Sequence, residues 1–383
     1  MSRIVRLGDI TKIYSGGTPS RSNPAYWGGD IPWVKTTQIQ NCHITEDDID
    51  EWITEDGLKH SSAKPVPSGS ILMAMIGQGK TRGQVALLDI DATTNQNAAA
   101  IVLNDGYNIN YVFQQLLFRY EHIRSISNAS GQQNLNLDII RSIAFPEPSL
   151  PEQKAIADLL ATWDEAIEKT ERLIQEKERR FKWLLSALLS GHMRSGKMST
   201  WTETTLKEIC AIEKGMQKNR DSLSANGAYP VVNGGVSPSG YTDTWNTDAN
   251  TVTISEGGNS CGFVSFMETP FWCGGHCYAL KNLDAKSMDP RFLFFYLKHH
   301  EKRIMRLRVG SGLPNIQRRD IEKFTVSYPP LEDQQHITST LSSAQQEINL
   351  LKQLVEKYKI QKRGLMQKLL TGQWRVKCEK EVS

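Results

Sequence analysis

Pro148-Ser-Leu-Pro-Glu-Gln153 and Pro329-Pro-Leu-Glu-Asp-Gln334 are the two stretches that decide how this chain is organised. They lie 181 residues apart, and at that offset Gly131–Arg194 aligns without a gap on Gly312–Arg375. Asn134 meets Asn315, Ile140 meets Ile321, and Leu188-Leu-Ser-Gly191 meets Leu369-Leu-Thr-Gly372. An offset of 179 relates earlier pieces, Gly83-Gln-Val85 to Gly262-Phe-Val264 and Ala100 to Ala279. Leu7-Gly-Asp-Ile10 also resembles Leu206-Lys-Glu-Ile209. Matches in this order mark an internal duplication, read as globule, long helix, globule, long helix.

Both long segments carry a heptad. Ile156, Leu160, Trp163, Ile167 and Ile174 fall on one stripe of the first, and Ile337, Leu341, Ile348, Leu351 and Val355 on one stripe of the second. A 3.5-residue period puts an apolar seam along a helix that must be buried against another helix. Pro151 suits a first helical turn, and Gly191 and Gly372 suit C-terminal stops. About 40 residues at ~1.5 Å each make a rod of roughly 60 Å. The simplest partner for each rod is the other, as an antiparallel coiled coil; a homodimeric coiled coil is the competing arrangement.

The expected fold class is therefore α+β with a pseudo-twofold repeat. Two mixed α/β globules, at 1–149 and 195–330, are joined by helices at 150–194 and 331–377, with a tail at 378–383. Strand-like runs Ile71–Ile76 and Gln84–Ile90 flank the glycine-bearing turn Gly77–Gly83, and Thr251–Ser255 and Phe263–Phe266 flank Glu256–Gly262. One helix follows in each globule, at Tyr111–Ile123 and Arg291–Leu307.

Composition narrows the class. A chain of 383 residues with 39% hydrophobic and 23% charged residues suits two or three globular domains. No apolar run reaches the roughly 18 residues of a membrane helix, and the start Met1-Ser2-Arg3-Ile4 reads as no signal peptide. Six thinly spread cysteines fit reduced thiols and a cytoplasmic location. Residues 1–149 hold 12 Lys+Arg against 15 Asp+Glu, and residues 200–330 hold 15 against 13. Neither half is a polycation, so binding to DNA would need local patches or partner subunits to neutralise phosphates.

Enzymatic signatures fail on their own chemistry. Ala74-Met-Ile-Gly-Gln-Gly79-Lys80-Thr81 has the letters of a loosened phosphate loop, which needs a helix directly after Lys-Thr; Arg82–Leu88 reads as a strand. A nucleotide hydrolase using Lys80 is thus a minor reading. Cys273-Gly-Gly-His276-Cys277 has metal-ligand residue types, but only Cys261 lies near as a fourth ligand, so no metal is expected. The one Pro-Pro, in Ser327-Tyr-Pro-Pro-Leu331, lacks the flanks of a methyltransferase tetrad, and no Pro-Asp begins a nuclease signature. No catalytic residue is expected.

What remains is chemistry suited to gripping nucleic acid. The loop Ser15-Gly-Gly-Thr-Pro-Ser20-Arg21 matches in position Lys214-Gly-Met-Gln217-Lys218-Asn219-Arg220. Ser20, Arg21, Lys214, Gln217, Lys218, Asn219 and Arg220 are candidates there. Lys35, Thr36 and Gln38 add a second group, Gln78, Lys80 and Arg82 a third, and Gln132, Gln133 and Asn134 a fourth, with Asn259 in the second globule. In the major groove Arg or Lys pairs with guanine, and Asn or Gln with adenine; turn formation explains many of the same residues. The densest basic cluster, Lys298–Arg308, offers Lys302, Arg303 and Arg306 to phosphates, a solvated helix face being the plainer reading.

These residues together resemble the specificity subunits of type I restriction–modification systems. The resemblance rests on Leu7-Gly-Asp-Ile10, Ser15-Gly-Gly-Thr-Pro-Ser20 and Tyr26-Trp-Gly-Gly-Asp-Ile-Pro-Trp33, on the paired Leu150-Pro-Glu-Gln153 and Leu331-Glu-Asp-Gln334, and on the helix endings at Gly191 and Gly372. It implies two target-recognition domains that each read half of a split, asymmetric site in double-stranded DNA, held apart by the helices. It further implies two modification (methyltransferase) subunits docked on the helices and two restriction subunits. S-adenosylmethionine, ATP and magnesium would belong to those partners, with no cofactor in this chain. The second globule lacks the Tyr-Trp-Gly-Gly stretch and is about 20 residues shorter there. A coiled-coil scaffold whose globules bind protein or RNA is the alternative.

Overall fold

The computed structural model describes residues 3–77, 79–129, 134–190, 200–310 and 312–376, without the side chains of 127–129 and of Arg220. The chain forms two compact units, Met1–Glu171 with Leu354–Ser383, and Arg172–Gln353. Each unit takes one globule and the adjoining halves of both long helices, Leu150–Leu189 and Leu331–Leu369. Among the described residues, no helix is long and apolar enough to cross a membrane.

In the first unit a five-stranded sheet runs in the order Thr11–Ser15, Ala98–Leu103, Ile71–Ala74, Val85–Leu88, Cys42–Ile44, antiparallel except for its last pair. A three-stranded sheet sets Trp27–Val34 between antiparallel Trp52–Ile53 and parallel Thr93–Thr94. Arg3–Arg6 pairs with Ala144–Glu147. The second unit repeats this plan. Ala211–Lys214, Cys277–Lys281, Thr251–Ser255 and Val264–Met267 form its main sheet. Tyr229–Val232 lies between antiparallel Gly240–Thr242 and parallel Trp272–Cys273, and Thr202–Thr205 pairs with Thr325–Tyr328.

The duplication is thus a duplication of topology. The missing Tyr-Trp-Gly-Gly stretch does not remove the central strand of the small sheet, because Tyr229–Val232 supplies it. Among the described residues, it is the fifth strand of the main sheet that has no counterpart in the shorter globule. In the first unit that strand arrives beside Val85, whose N–H donates to Asn41 Oδ1 at 3.1 Å. The equivalent Val264 donates to Glu301 Oε2 at 2.8 Å and accepts from Lys298 Nζ at 3.0 Å. Lys298, counted above in the basic cluster, is therefore engaged in the fold.

Each expected globule helix is two helices. Ile109–Phe118 is followed by Tyr120–Ala129, and Pro290–His299 by Glu301–Met305. The breaks fall at equivalent residues with nearly the same backbone angles, Arg119 (φ −90°, ψ 6°) and His300 (φ −93°, ψ 11°). Apolar spacing continues across both breaks, so periodicity alone does not reveal them. The stop at Gly191 lies outside the described residues; Gly372 has φ +75°, the left-handed geometry that ends a helix.

The long helices begin on a buried glutamine. Gln153 Nε2 donates to the Pro148 carbonyl at 3.0 Å, and its Oε1 accepts from Asn108 N–H at 3.0 Å. Gln334 donates to the Pro329 and Ser287 carbonyls at 2.9 and 2.8 Å and accepts from Asp289 N–H at 2.9 Å. Asn108 and Asp289 are themselves the N-caps of Ile109–Phe118 and Pro290–His299. One amide therefore ties the start of a long helix to the start of a globule helix.

Within each unit the helix halves run antiparallel. In the first unit Glu152 holds Arg375 through two bonds of 2.6 Å, Trp163 meets Tyr358 edge-on at 5.7 Å, and Glu171 pairs with Lys359. In the second, Lys177 pairs with Glu347 and Glu178 with Lys352. Of the seam residues, Ile156, Leu160, Ile174, Ile337, Leu341, Ile348 and Val355 are buried, while Trp163, Ile167 and Leu351 are half-buried. Ile156 and Leu160 join the core of the first unit with Met366 and Leu369, and Ile337 and Leu341 join that of the second.

Gln334→Ala would strand a buried N–H and two carbonyls, at a cost of about 2–3 kcal/mol. The expected outcome is a lower urea midpoint for the second unit with an unchanged slope, and no recovery with Gln334→Glu at neutral pH, whose buried carboxylate would keep the acceptor but face two carbonyl oxygens. Hydrogen exchange across Pro290–His299 reads this directly.

Candidate nucleic-acid interface

The polar candidates gather at one end of each main sheet, where its first strand runs into the glycine loop. Gly16 N–H donates to the Ala98 carbonyl and Gly17 N–H to that of Thr94; Gly215 and Met216 do the same toward Cys277 and Cys273. The backbones approach so closely that a Cβ on Gly16 would sit 2.0 Å from the Thr94 oxygen, and one on Gly215 2.3 Å from the Gly274 oxygen. Glycine is needed at both positions because no side-chain atom fits there.

An indole then pins each loop. Trp33 Nε1 donates to the Gly17 carbonyl at 3.0 Å, and Trp272 Nε1 donates to the Met216 carbonyl at 2.8 Å. Arg21 lies over Trp27 (3.7 Å) and Trp33 (4.9 Å), and Lys218 lies over Trp272 (3.8 Å). Arg21 also pairs with Glu51 at 2.6 Å, and Lys35 reaches the same carboxylate at 3.0 Å and Asp50 at 3.4 Å. The hydrogen bond to Glu51 holds the Lys35 ammonium above its ordinary pKa.

Further bonds draw the turns together. Thr36 donates to Asn95 Oδ1 at 2.8 Å and Thr18 to Gln96 Oε1 at 2.6 Å. Gln38 accepts from Lys35 N–H and donates to the Asp48 carbonyl. Ser20 meets Ser22 at 2.8 Å. In the second unit Lys218 donates to Thr244 Oγ1 at 3.1 Å, and Asn219 accepts from Asp221 N–H at 3.3 Å. Gln217 lies against Gly275 and is exposed. Gln78, Gln132 and Gln133 lie outside the described residues, as does the Arg220 side chain.

The second loop of each globule is a hairpin turn. Val85–Leu88 follows Lys80-Thr81 as a strand, so the phosphate-loop letters meet no helix. Ala74 N–H to the Gln84 carbonyl closes one turn and Ser255 N–H to the Phe263 carbonyl the other. Gly79 and Gly83 have φ +69° and +85°, and Gly258 and Gly262 have +72° and +87°. This match makes Lys80 and Asn259 counterparts, both exposed. Tyr120 hydroxyl anchors the Lys80 carbonyl, and Arg82 is half-buried.

Beneath these loops the two units differ in charge. Met75 donates its N–H to Asn97 and accepts from Leu135; Glu256 makes the same two bonds, to His276 and from Ile316. Glu256 is thus the counterpart of Met75, and both are buried. Its carboxylate accepts from Lys214 Nζ at 2.6 Å and from Tyr278 hydroxyl at 3.1 Å. Burial, with Glu256 beside it, pushes the Tyr278 phenol up to about 12.

Elsewhere, Asn134 is exposed next to Leu135. Lys302 and Arg306 are exposed and enter no ion pair among the described residues, whereas Arg303 lies over Phe324 at 5.2 Å. Cys273 and Cys277 are buried in strands of a core cluster. Sequence reading passed over Glu256 and the pinning roles of Trp33 and Trp272. The one local signal was a carboxylate at the end of an otherwise uncharged strand; the indoles lie 16 and 56 residues from the carbonyls they bond, so no local pattern marks them.

Comparison with known proteins agrees with this geometry. The family model described as the type I restriction modification DNA specificity domain matches residues 2–179 and again 198–359, and the chain belongs to that family. A putative type I specificity subunit of Mycoplasma genitalium is 32% identical over 157 residues, 41% of each chain, so the match spans well under half of that relative. A type I restriction enzyme specificity subunit of Methanocaldococcus jannaschii is 21% identical over 98% of this chain and 93% of its own. The crystal structure of a type I restriction-modification S subunit from M. genitalium shares the fold, with a TM-score of 0.69, 18% identity and 96% of each chain covered.

Lys214→Ala would leave the Glu256 carboxylate buried beside only Tyr278 and His276, costing about 1–3 kcal/mol after allowance for the half-exposed lysine. Glu256→Met, which installs the first unit's residue, should keep stability within about 1 kcal/mol and abolish the cost of Lys214→Ala. A double-mutant cycle by chemical denaturation measures that coupling.

Proposed function

We propose that this chain is the DNA-reading subunit of a type I restriction–modification assembly. Each globule reads one half of a split, asymmetric duplex site. It is non-catalytic and holds no cofactor of its own. Two modification subunits dock on its helices and bring S-adenosylmethionine; two restriction subunits add ATP- and magnesium-dependent cleavage. The whole assembly works in the cytoplasm. The paired helices set the number of unread base pairs between the half-sites.

The observation that carries this reading is one loop architecture built twice with different side chains at matched positions. Lys80 stands opposite Asn259, Ser15 opposite Lys214, and Met75 opposite Glu256. A scaffold has no use for that combination. A reader of two unlike half-sites needs a common frame and different donors and acceptors on it. The weak net charge of both globules fits a chain that shares phosphate neutralisation with its partners.

The test is methylation mapping of DNA modified by the reconstituted complex. Exchange of one globule for that of a relative should change one half-site and leave the other. Insertion of one heptad into both helices should lengthen the spacer and keep both half-sites. An identical methylated sequence from all three proteins would refute the proposal.

A further inference from the structure

We infer that Arg21 and Lys218 are matched phosphate-gripping cations, one per unit, and that Trp33 and Trp272 are the positioning residues that hold them. The inference rests on the DNA-reading function proposed above and assigns a division of labour within it.

The argument starts from an exchange across a strand pair. In the first unit Trp33 stands opposite Thr93 in a parallel pair; in the second, Val231 stands opposite Trp272. The tryptophan has crossed to the other strand of the same pair. Its N–H nevertheless ends on the equivalent carbonyl, that of Gly17 or Met216. The cation over the indole face stands four residues beyond that carbonyl in the first unit (Arg21) and two beyond it in the second (Lys218); Arg220, at the position that matches Arg21, has a side chain outside the described residues. Two different sets of residues thus rebuild one arrangement, a loop pinned by an indole with a cation above it.

Stability accounts for the indole, and the pair of Arg21 with Glu51 and the bond of Lys218 to Thr244 fix each cation beside it, while the stacking itself adds little. An exposed cation over an aromatic face contributes only about 0.5–1 kcal/mol, and hydrogen bonding of the ring to the loop does not require it. What the ring does for the cation is restrict it. A long, flexible side chain pays for immobilisation when it meets a ligand, and stacking lowers that cost beforehand. The Arg21 side chain stays 54% exposed although Glu51 takes one edge of its guanidinium.

The recurrence also indicates which part of DNA is met. Positions that read bases must differ between globules serving unlike half-sites, as Lys80 and Asn259 do. A device that is rebuilt the same way in both serves what both half-sites share, the phosphate backbone.

The experiment uses the intact chain assembled with modification subunits. It measures affinity against salt concentration for a duplex bearing the sequence that the parent complex methylates, and for a scrambled duplex. Arg21→Ala and Lys218→Ala should each reduce the slope of log affinity against log salt by about 0.9, the value for one phosphate contact. The ratio of cognate to scrambled affinity should not change, and Lys218→Arg should restore the slope. Trp272→Phe, which keeps a ring but loses the bond to Met216, should weaken binding with the slope intact. Parental slopes in both alanine variants, or a collapsed cognate ratio that marks a base contact, would overturn the inference alone. A parent complex that does not discriminate the two duplexes would overturn the DNA-reading function with it.

Discussion

Everything that the two globules hold up to a ligand depends on where the long helices join them, and each joint is one buried amide. Gln153 and Gln334 use their oxygen on the N–H of a capping residue and their nitrogen on the carbonyl of the proline before the helix. A buried amide with all partners in place is rigid, because any rotation leaves a polar group without a partner in a dry setting. Buried hydrophobic residues two turns further along each helix, such as Leu160 and Leu341, fill space without specifying direction. The glutamine supplies direction, and it does so twice with the same chemistry.

Above those joints the two units have kept a frame and changed its contents. Glycine loops, left-handed turns and broken helices recur at matched positions. The residues between them have diverged in charge, as at Met75 and Glu256, or have exchanged strands, as at Trp33 and Trp272. A buried carboxylate in place of a methionine is tolerated because Lys214 and Tyr278 came with it. Divergence of this kind proceeds by sets of residues, since a single change would leave a charge or a donor unsatisfied.

Much of the fold was legible before any coordinates. The gapless repeat, the heptads and the motif ending in Gln153 and Gln334 located both long helices, and the glycine turns located the central hairpins. The small sheets were not legible: Trp52–Ile53, Thr93–Thr94 and Trp272–Cys273 are two-residue strands, too short for any alternation to register. The pairing of Met75 with Glu256 was hidden because the hairpin loops differ by two residues, so the repeat offset changes within them. At the candidate interface, residue type marked the right loops. It could not show that Arg21, Lys35 and Thr36 are already bonded through their side chains within the chain, because Glu51 and Asn95 are distant in sequence.

The absent fifth strand has a cost that the second unit meets in an economical way. A sheet that stops one strand early exposes backbone groups able to recruit a strand from another molecule. Here the N–H and carbonyl of Val264 are occupied by Glu301 and Lys298, which bond to each other as well. An acid–base couple one helical turn long acts as a side-chain prosthesis for missing main chain. The second half of the molecule therefore covers part of that edge with two charges, where the first half continues its sheet by one short strand.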